Sequence, residues 1–165
     1  VASHDLTGQT VVVLGAIIGL GFKAAKHFAR IKPAKLILAC RNQLEGDKAL
    51  AGEFLCMHSS CTLITGYTGS EVWIINLGNF ALVSKLAERF EREENRLHIF
   101  VTNAASAPES FEASQEGYKL TLHVNHLATV LISLLLLPKM VAAAKLRGPD
   151  SKPHLVIVTS EVHHW

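Results

Sequence analysis

Cysteine is scarce in this sequence, with three residues among 165. An odd number of cysteines without CxxC spacing argues against both a disulfide framework and a zinc site. Cys56 and Cys61 are close enough in sequence to pair, but free thiols in a reducing compartment are the stronger interpretation. We therefore expect a cytoplasmic protein.

Strong charge of one sign and long apolar runs are also missing. The formal net charge is +2, and basic residues are interspersed with acids, as in ERFEREENR. This balance predicts that the protein has no nucleic-acid partner. The most apolar segment, from Leu127 to Leu137, is about half as long as a membrane span, so it predicts part of a buried helix and no membrane span.

Metal ligands do not cluster in the sequence. His123 and His126 have no accompanying set of acids or cysteines, and His163 and His164 stand at the end of the chain. Protein metal sites usually need three or four converging ligands. We therefore predict no metal site.

Residues 11–30, VVVLGAIIGLGFKAAKHFAR, join an apolar run to a helical pattern through three glycines. The run before Gly15 is apolar without alternation, which is typical of a strand buried on both faces of a parallel sheet. After Gly19 and Gly21, apolar residues recur at helical spacing. Such glycines let a phosphate approach backbone N–H groups at a helix start. Nucleotide binding is the favoured interpretation, and close packing of the strand on the helix is the alternative.

The same alternation of strand and helix continues along the chain. Four further strands are predicted over Ala34–Cys40, Glu71–Leu77, Leu97–Ala105 and His154–Ser160. Helices are predicted over residues 41–54, over residues 80–94 and from Gly117 to Lys145 with a kink or break at Pro138, and a loop is predicted from Cys56 to Ser70. Five strands alternating with helices indicate an α/β fold of Rossmann type, a doubly wound parallel sheet in three α/β/α layers. We expect one domain over residues 1–165, with its ligand at the carboxyl ends of the strands.

Five motifs stand in the order and spacing of a known family: LTGQTVVVLGAIIGLG, LILACRN, FVTNAA, LHVNHLATVLISLLLLPKM and LVIVTSEVHHW. Over nearly its whole length the sequence resembles the short-chain dehydrogenase/reductase family, and within it the retinol-dehydrogenase-like and WW-domain-oxidoreductase-like members common in fungi. The resemblance implies hydride transfer between a nicotinamide cofactor and a small carbonyl or alcohol substrate. It also implies a homo-oligomer formed through the helix from Gly117 to Lys145.

The resemblance implies that the three glycines cover the cofactor pyrophosphate. Ile17 and Ile18 replace polar residues that are usual in this turn, so side-chain donors are lost while the backbone is kept. Arg41, beside Asn42, follows the second strand, where members that prefer NAD carry an acid. Because a guanidinium suits a 2′-phosphate, this position favours NADP(H) as the cofactor.

Two further stretches match cofactor contacts of the family. Asn76 and Leu77 stand where Asp-Leu is usual, and an asparagine oxygen can still accept from the adenine amino group. TNAA, residues 102–105, matches Asn-Asn-Ala-Gly, and Ala105 adds a methyl group where the backbone passes close to the cofactor. The cofactor-binding positions implied by the resemblance are Gly15, Gly19, Leu20, Gly21, Arg41, Asn42, Asn76, Leu77, Asn103, Ala104 and Ala105.

Two residues match catalytic positions of the family. Asn125 matches a helix asparagine that organises a proton-relay water, and Ser160 matches the serine whose hydroxyl holds the substrate carbonyl oxygen. The family's Tyr-x-x-x-Lys pair supplies the proton, but neither Tyr67 nor Tyr118 has a lysine four residues on. The resemblance therefore implies an incomplete domain, truncated after its fifth strand, that is inactive alone.

Three functions remain open on the sequence. The first is a portion of an NADP-dependent short-chain oxidoreductase that is active only at full length. The second is a non-catalytic nucleotide-binding or interaction domain. The third is another Rossmann class, such as a methyltransferase, against which the matches at Asn125 and Ser160 argue.

Overall fold

The computed structural model describes residues 6–51, 67–146 and 152–160, in which strands and helices alternate. The strands are β1 (Thr10–Leu14), β2 (Lys35–Cys40), β3 (Ser70–Ile74), β4 (Ile99–Thr102) and β5 (His154–Ile157). The helices are α1 (Gly19–Ile31), α2 (Gln43–Ala51), α3 (Phe80–Glu93), α4 (Leu120–Leu122) and α5 (Thr129–Leu146), and a π-helical segment (His123–Ala128) joins the last two.

The five strands form one parallel sheet in the order β3-β2-β1-β4-β5. The strand order reverses between β1 and β4, so the connections after these strands leave in opposite directions. In a doubly wound sheet this reversal opens a crevice at the carboxyl ends of the strands. The predicted Rossmann-type fold is confirmed, and the reversal marks the place where ligands bind in sheets of this type.

The core occupies both faces of the sheet. Along β1 the side chains alternate, so that Val11 and Val13 pack on the α1 side while Val12 and Leu14 pack on the α3 and α5 side. All four are fully buried, as expected for a central strand between two helical layers. The apolar run without alternation in the sequence is explained by this burial on both faces.

The predicted strands extend beyond the observed ones at their carboxyl ends. The third was predicted to reach Leu77 and the fourth to reach Ala105, but β3 ends at Ile74 and β4 at Thr102. Ile75 and Asn103 each donate one further backbone hydrogen bond to the neighbouring strand, after which the chain turns away. The residues that were assigned to the strand ends therefore line the crevice.

The long helix differs from its prediction at its start, and it continues through Pro138 without a break, which was one of the two predicted outcomes there. Helical structure begins at Leu120 and not at Gly117, and the predicted break at Pro138 does not occur. Leu136 and Met140, on either side of the proline, are both buried in the core. The helix therefore continues through a proline that cannot donate the usual backbone hydrogen bond, between two residues that are packed in the core.

The predicted loop from Cys56 to Ser70 lies partly outside the described residues. Within the described part, residues 67–69 are irregular and Ser70 begins β3. Cys56, Cys61, His163 and His164 also lie outside the described residues, so their predicted states are not addressed by the structure.

The helix from Leu120 to Lys145 is long and apolar enough to cross a membrane by length and composition. In this fold its inner face, with Ala128 and Ile132, packs against the sheet. Its outer face carries an exposed apolar stripe, defined by Val130, Leu134, Leu137 and Val141. The interpretation of a buried helix is therefore right for one face of this helix and wrong for the other.

Candidate functional site

The carboxyl ends of β1 to β4 open into one cleft of about 400 Å³. All the predicted cofactor residues line this cleft except Gly21 and Asn42. Sequence reasoning did not assign the remaining lining residues to a site, and they are Ile17, Ile18, Ala39, Cys40, Glu45, Ile75, Ser106, Leu120 and Val124. Several of these are apolar residues next to predicted positions, and only knowledge of where each strand ends could have identified them.

Two glycines are required by the close approach of the turns after β1 and β4. Gly15 has a φ of +72°, and a Cβ on it would lie 2.7 Å from the Cα atom of Ala104. A Cβ on Gly21 would collide with the carbonyl oxygen of Gly15 and lie 2.5 Å from Nδ2 of Asn103. These glycines therefore support the interpretation that the turn is needed for close packing of the strand on the helix. They also let the two turns that form the floor of the cleft approach each other.

The start of α1 leaves backbone donors open towards the cleft. Ile18 occupies the N-cap position, where its side chain makes no capping hydrogen bond, and the first turn contains no acid. A Cβ on Gly19 would meet open space. The first-turn N–H groups of a helix have no partner within the helix. An anion such as a pyrophosphate fits this end of α1 both electrostatically and sterically.

The end of β2 brings one cation to the cleft. Arg41 is exposed, and its guanidinium makes no hydrogen bond or ion pair within the described residues. Glu45, in the first turn of α2, also lines the cleft but does not pair with it. Cys40 donates to the carbonyl oxygen of Asn42 at 3.3 Å, and burial raises the pKa of its thiol. Arg41 is thus available to an anionic ligand, whereas the thiol stays protonated at neutral pH.

Asn103 ties the two central turns together. Its Nδ2 donates to the carbonyl oxygen of Gly15 at 3.2 Å, and its backbone N–H donates to Leu14. The side chain therefore spans the point where the strand order reverses. We infer that Asn103 shapes the cleft as well as lining it.

Asn125 holds the chain after β4 in place. Its Oδ1 accepts from the N–H of Ser106 at 2.7 Å, and its Nδ2 donates to the carbonyl oxygen of the same residue at 3.0 Å. Asn125 lies in the π-helical segment, and Thr129, the first residue of α5, donates from its Oγ1 to the carbonyl oxygen of Val124 in that segment. Both ends of the Asn125 amide are therefore engaged with backbone, a positioning role that the sequence did not reveal.

Ser160 lies beyond β5, is exposed and does not line the cleft. It follows β5, which pairs in parallel with β4, so it lies at the carboxyl edge of the sheet. In the described ranges, no group of three or more potential metal-ligating side chains is present. His123 is fully buried and packs on Phe80, with ring centroids 4.1 Å apart.

A family model and curated relatives that match this chain are all dehydrogenases or oxidoreductases. The family model for short chain dehydrogenases matches residues 9–162. The short chain dehydrogenase/reductase dmxR8 of Cryptosporiopsis sp. is 31% identical over 162 residues, which cover 96% of this chain and 46% of that protein. The WW domain-containing oxidoreductase of Gallus gallus is 31% identical over 162 residues, covering 98% of this chain and 35% of that protein.

Solved structures share the fold. The Pseudomonas aeruginosa RhlG/NADP active-site complex superposes with a TM-score of 0.69 at 18% identity, covering 93% of this chain and 53% of that one. A metagenomic short-chain oxidoreductase in complex with NADP gives a TM-score of 0.68 at 20% identity, covering 91% of this chain and 61% of that one.

This chain belongs to the short-chain dehydrogenase family, a family of oxidoreductases. It spans about half or less of the length of these two relatives, and its match corresponds to the amino-terminal portion of the family's domain. The family match argues against the alternative of another Rossmann class, such as a methyltransferase, for this portion of the chain.

Proposed function

We propose that this chain forms the NADP(H)-binding half of an oxidoreductase that transfers hydride between the nicotinamide and a small carbonyl or alcohol. The bound nicotinamide supplies or accepts the hydride. This chain's own residues bind and orient: the start of α1 takes the pyrophosphate, and Arg41 takes the ribose 2′-phosphate. We assign substrate binding to Ser160, whose hydroxyl would donate to the carbonyl oxygen.

One observation carries the proposal for NADP(H), namely the unpaired guanidinium of Arg41 in the cleft at the end of β2 within the described part of the chain. An acid at this position would hold ribose hydroxyls and repel a phosphate, whereas a guanidinium offers several donors to phosphate oxygens. Two related structures are described as complexes with NADP, which supports the same assignment. Glu45 lies in the same cleft, and its exposed side chain can turn towards solvent.

Replacing Arg41 by alanine is expected to weaken NADPH binding and to leave NADH binding nearly unchanged. Loss of a charge-assisted contact to phosphate costs about 1.5 to 3 kcal/mol, which is roughly 10- to 150-fold in affinity. Titration of nicotinamide fluorescence measures both dissociation constants. Arg30→Ala, an exposed arginine in the last turn of α1, is the matched control. Equal affinities for NADPH and NADH in the unmodified chain would contradict the assignment.

We also propose that the exposed apolar stripe on α5 binds a second copy of the chain. Its members recur at spacings of four, three and four residues, which places them along one side of the helix. β5 pairs only with β4 in the described residues and is exposed along its length. Contiguous exposed apolar surface of this kind marks an interaction site.

Leu134→Glu is expected to weaken self-association by at least about tenfold, because a carboxylate would be buried in an apolar contact. Sedimentation equilibrium measures the association constant. Leu44→Glu is the matched control, since Leu44 on α2 is 63% exposed and Leu134 is 61% exposed. A monomeric parent chain, or equal effects of both substitutions, would contradict the assignment.

The alternative is a non-catalytic dinucleotide-binding or interaction domain. The observation that favours it is that these 165 residues contain no Tyr-x-x-x-Lys sequence. The oxidoreductase and the dinucleotide-binding domain both require the cleft to bind a dinucleotide, and they differ in whether the polypeptide that carries this portion turns substrate over, whereas an interaction domain requires no dinucleotide. Steady-state oxidation of NADPH against a panel of aldehydes, ketones and quinones distinguishes them.

A further inference from the structure

The exposed apolar stripe on α5 continues into the π-helical segment, where it reaches a titratable side chain. His126 stands four residues before Val130, and Leu122 stands four residues before His126. A step of four residues is close to one turn of an α-helix and of a π-helical segment. Both side chains are exposed, as are those of the stripe. His126 therefore lies in line with the stripe, between two apolar neighbours.

The imidazole of His126 forms no hydrogen bond or ion pair within the part of the chain that the structure describes. The loop between β4 and α4 lies beside this segment, because Ser106 contacts Asn125. None of the charged residues of that loop pairs with His126, and they are Glu109, Glu112, Glu116 and Lys119. The carboxylate of Glu116 instead lies 3.7 Å from Nδ1 of the buried His123.

The helix that carries the stripe has no carboxylate. From Leu120 to Lys145 the sequence contains neither Asp nor Glu, and its only charged residues besides the two histidines are Lys139 and Lys145. Lys139 already pairs with Glu91 of α3, with Nζ 3.1 Å from Oε1, and Lys145 is exposed. A second copy that covers the stripe with the same helix would bring apolar groups and cations to His126, but no counter-charge.

The two protonation states of an imidazole differ in such a contact. A neutral imidazole presents an apolar ring body and can keep a nitrogen at the wet rim of an interface. A protonated ring that is buried without a carboxylate partner is costly. Association that requires neutral rings excludes protons, so it is favoured at high pH and is lost as the pH falls.

We propose that His126 makes self-association through the stripe dependent on pH, so that two copies bind while its imidazole is neutral and separate when it is protonated. The inference rests on the proposed self-association, because His126 acts only where a second copy covers the stripe. Imidazoles typically titrate near pH 6.5, so at about pH 5.5 roughly a tenth of them is neutral. A contact that needs two neutral rings would then lose up to about a hundredfold in its association constant.

The experiment measures the association constant by sedimentation equilibrium at about pH 8 and at about pH 5.5, with circular dichroism to establish that each protein is folded. His126→Leu removes the titrating group and keeps the stripe apolar. His126→Lys places a charge there at both pH values. His27→Leu is the matched control, because His27 is an exposed histidine on α1, outside the stripe.

The parent chain and His27→Leu are expected to lose at least about tenfold in association constant at the lower pH. His126→Leu is expected to associate equally at both pH values, and His126→Lys weakly at both. Equal association of the parent at both pH values would overturn the inference and leave the proposed self-association standing.

Two further results would also overturn the inference. One is a pH effect that persists in His126→Leu, since it would belong to another group. The other is parental association of His126→Lys at about pH 8, an arm that needs no acidic solution. A parent chain that is monomeric at about pH 8 would refute the proposed self-association and the inference together.

Discussion

Gly21→Val is expected to reduce the affinity of the chain for NADPH by at least about a hundredfold, or roughly 2.7 kcal/mol. A Cβ at this position would collide with the carbonyl oxygen of Gly15 and crowd Nδ2 of Asn103. Because both neighbours belong to the turns between which the cleft opens, the start of α1 must move away from them. Backbone shifts of this kind also lower stability by about 1 to 3 kcal/mol.

Binding is therefore compared at a temperature at which circular dichroism shows that both proteins are folded. Ala24→Val, a half-buried position on the same helix, controls for the β-branched side chain in α1. We expect Ala24→Val to bind NADPH nearly as the parent does. A folded Gly21→Val variant with parental affinity would show that the turn does not form the pyrophosphate site.

The 165-residue chain is expected to show no NADPH turnover above background, even where it binds the cofactor. Hydride transfer to a carbonyl needs a proton donor whose pKa lies near the working pH. An unassisted serine hydroxyl is too weak an acid, and an asparagine amide does not titrate in this range. Loss of a positioned acid or base removes about 10² to 10⁴ in rate.

The assay follows NADPH oxidation against a panel of small aldehydes, ketones and quinones, with Ser160→Ala measured in parallel. Both proteins are expected to match the rate without enzyme. Turnover that exceeds background in the parent and falls in Ser160→Ala would show that this chain contains a proton donor. Such a donor would contradict the expectation that this chain is inactive alone.

The arrangement of strands and helices could be predicted because buried strands and helices have recognisable patterns of apolar residues in the sequence. The residues of β1 are apolar on both faces since helices cover both sides, and two of the glycines after it, Gly15 and Gly21, are required by the close approach of two turns. Strand ends could not be predicted, because apolar character continues into the crevice wall. Ile75 and Leu77 are buried, yet both lie beyond the end of β3.

Contacts within the site were less accessible to sequence reasoning. The matches at Asn76 and Asn125 identified two polar positions, but the sequence does not say which atom of each amide is already used. In the structure the Gly78 N–H donates to the side-chain oxygen of Asn76. The backbone of Ser106 forms hydrogen bonds with both the oxygen and the nitrogen of the Asn125 amide. Such pairings depend on turn geometry that no spacing rule encodes.

Hydrogen exchange with and without saturating NADPH tests the central claim most directly, because it locates the binding site on the chain. Protection is predicted in residues 15–21, 40–45, 75–78 and 103–106, which surround the cleft. The outer face of α5 should exchange equally in both states. The absence of protection, or protection confined to α5 and β5, would contradict the assignment of this cleft as the NADP(H) site.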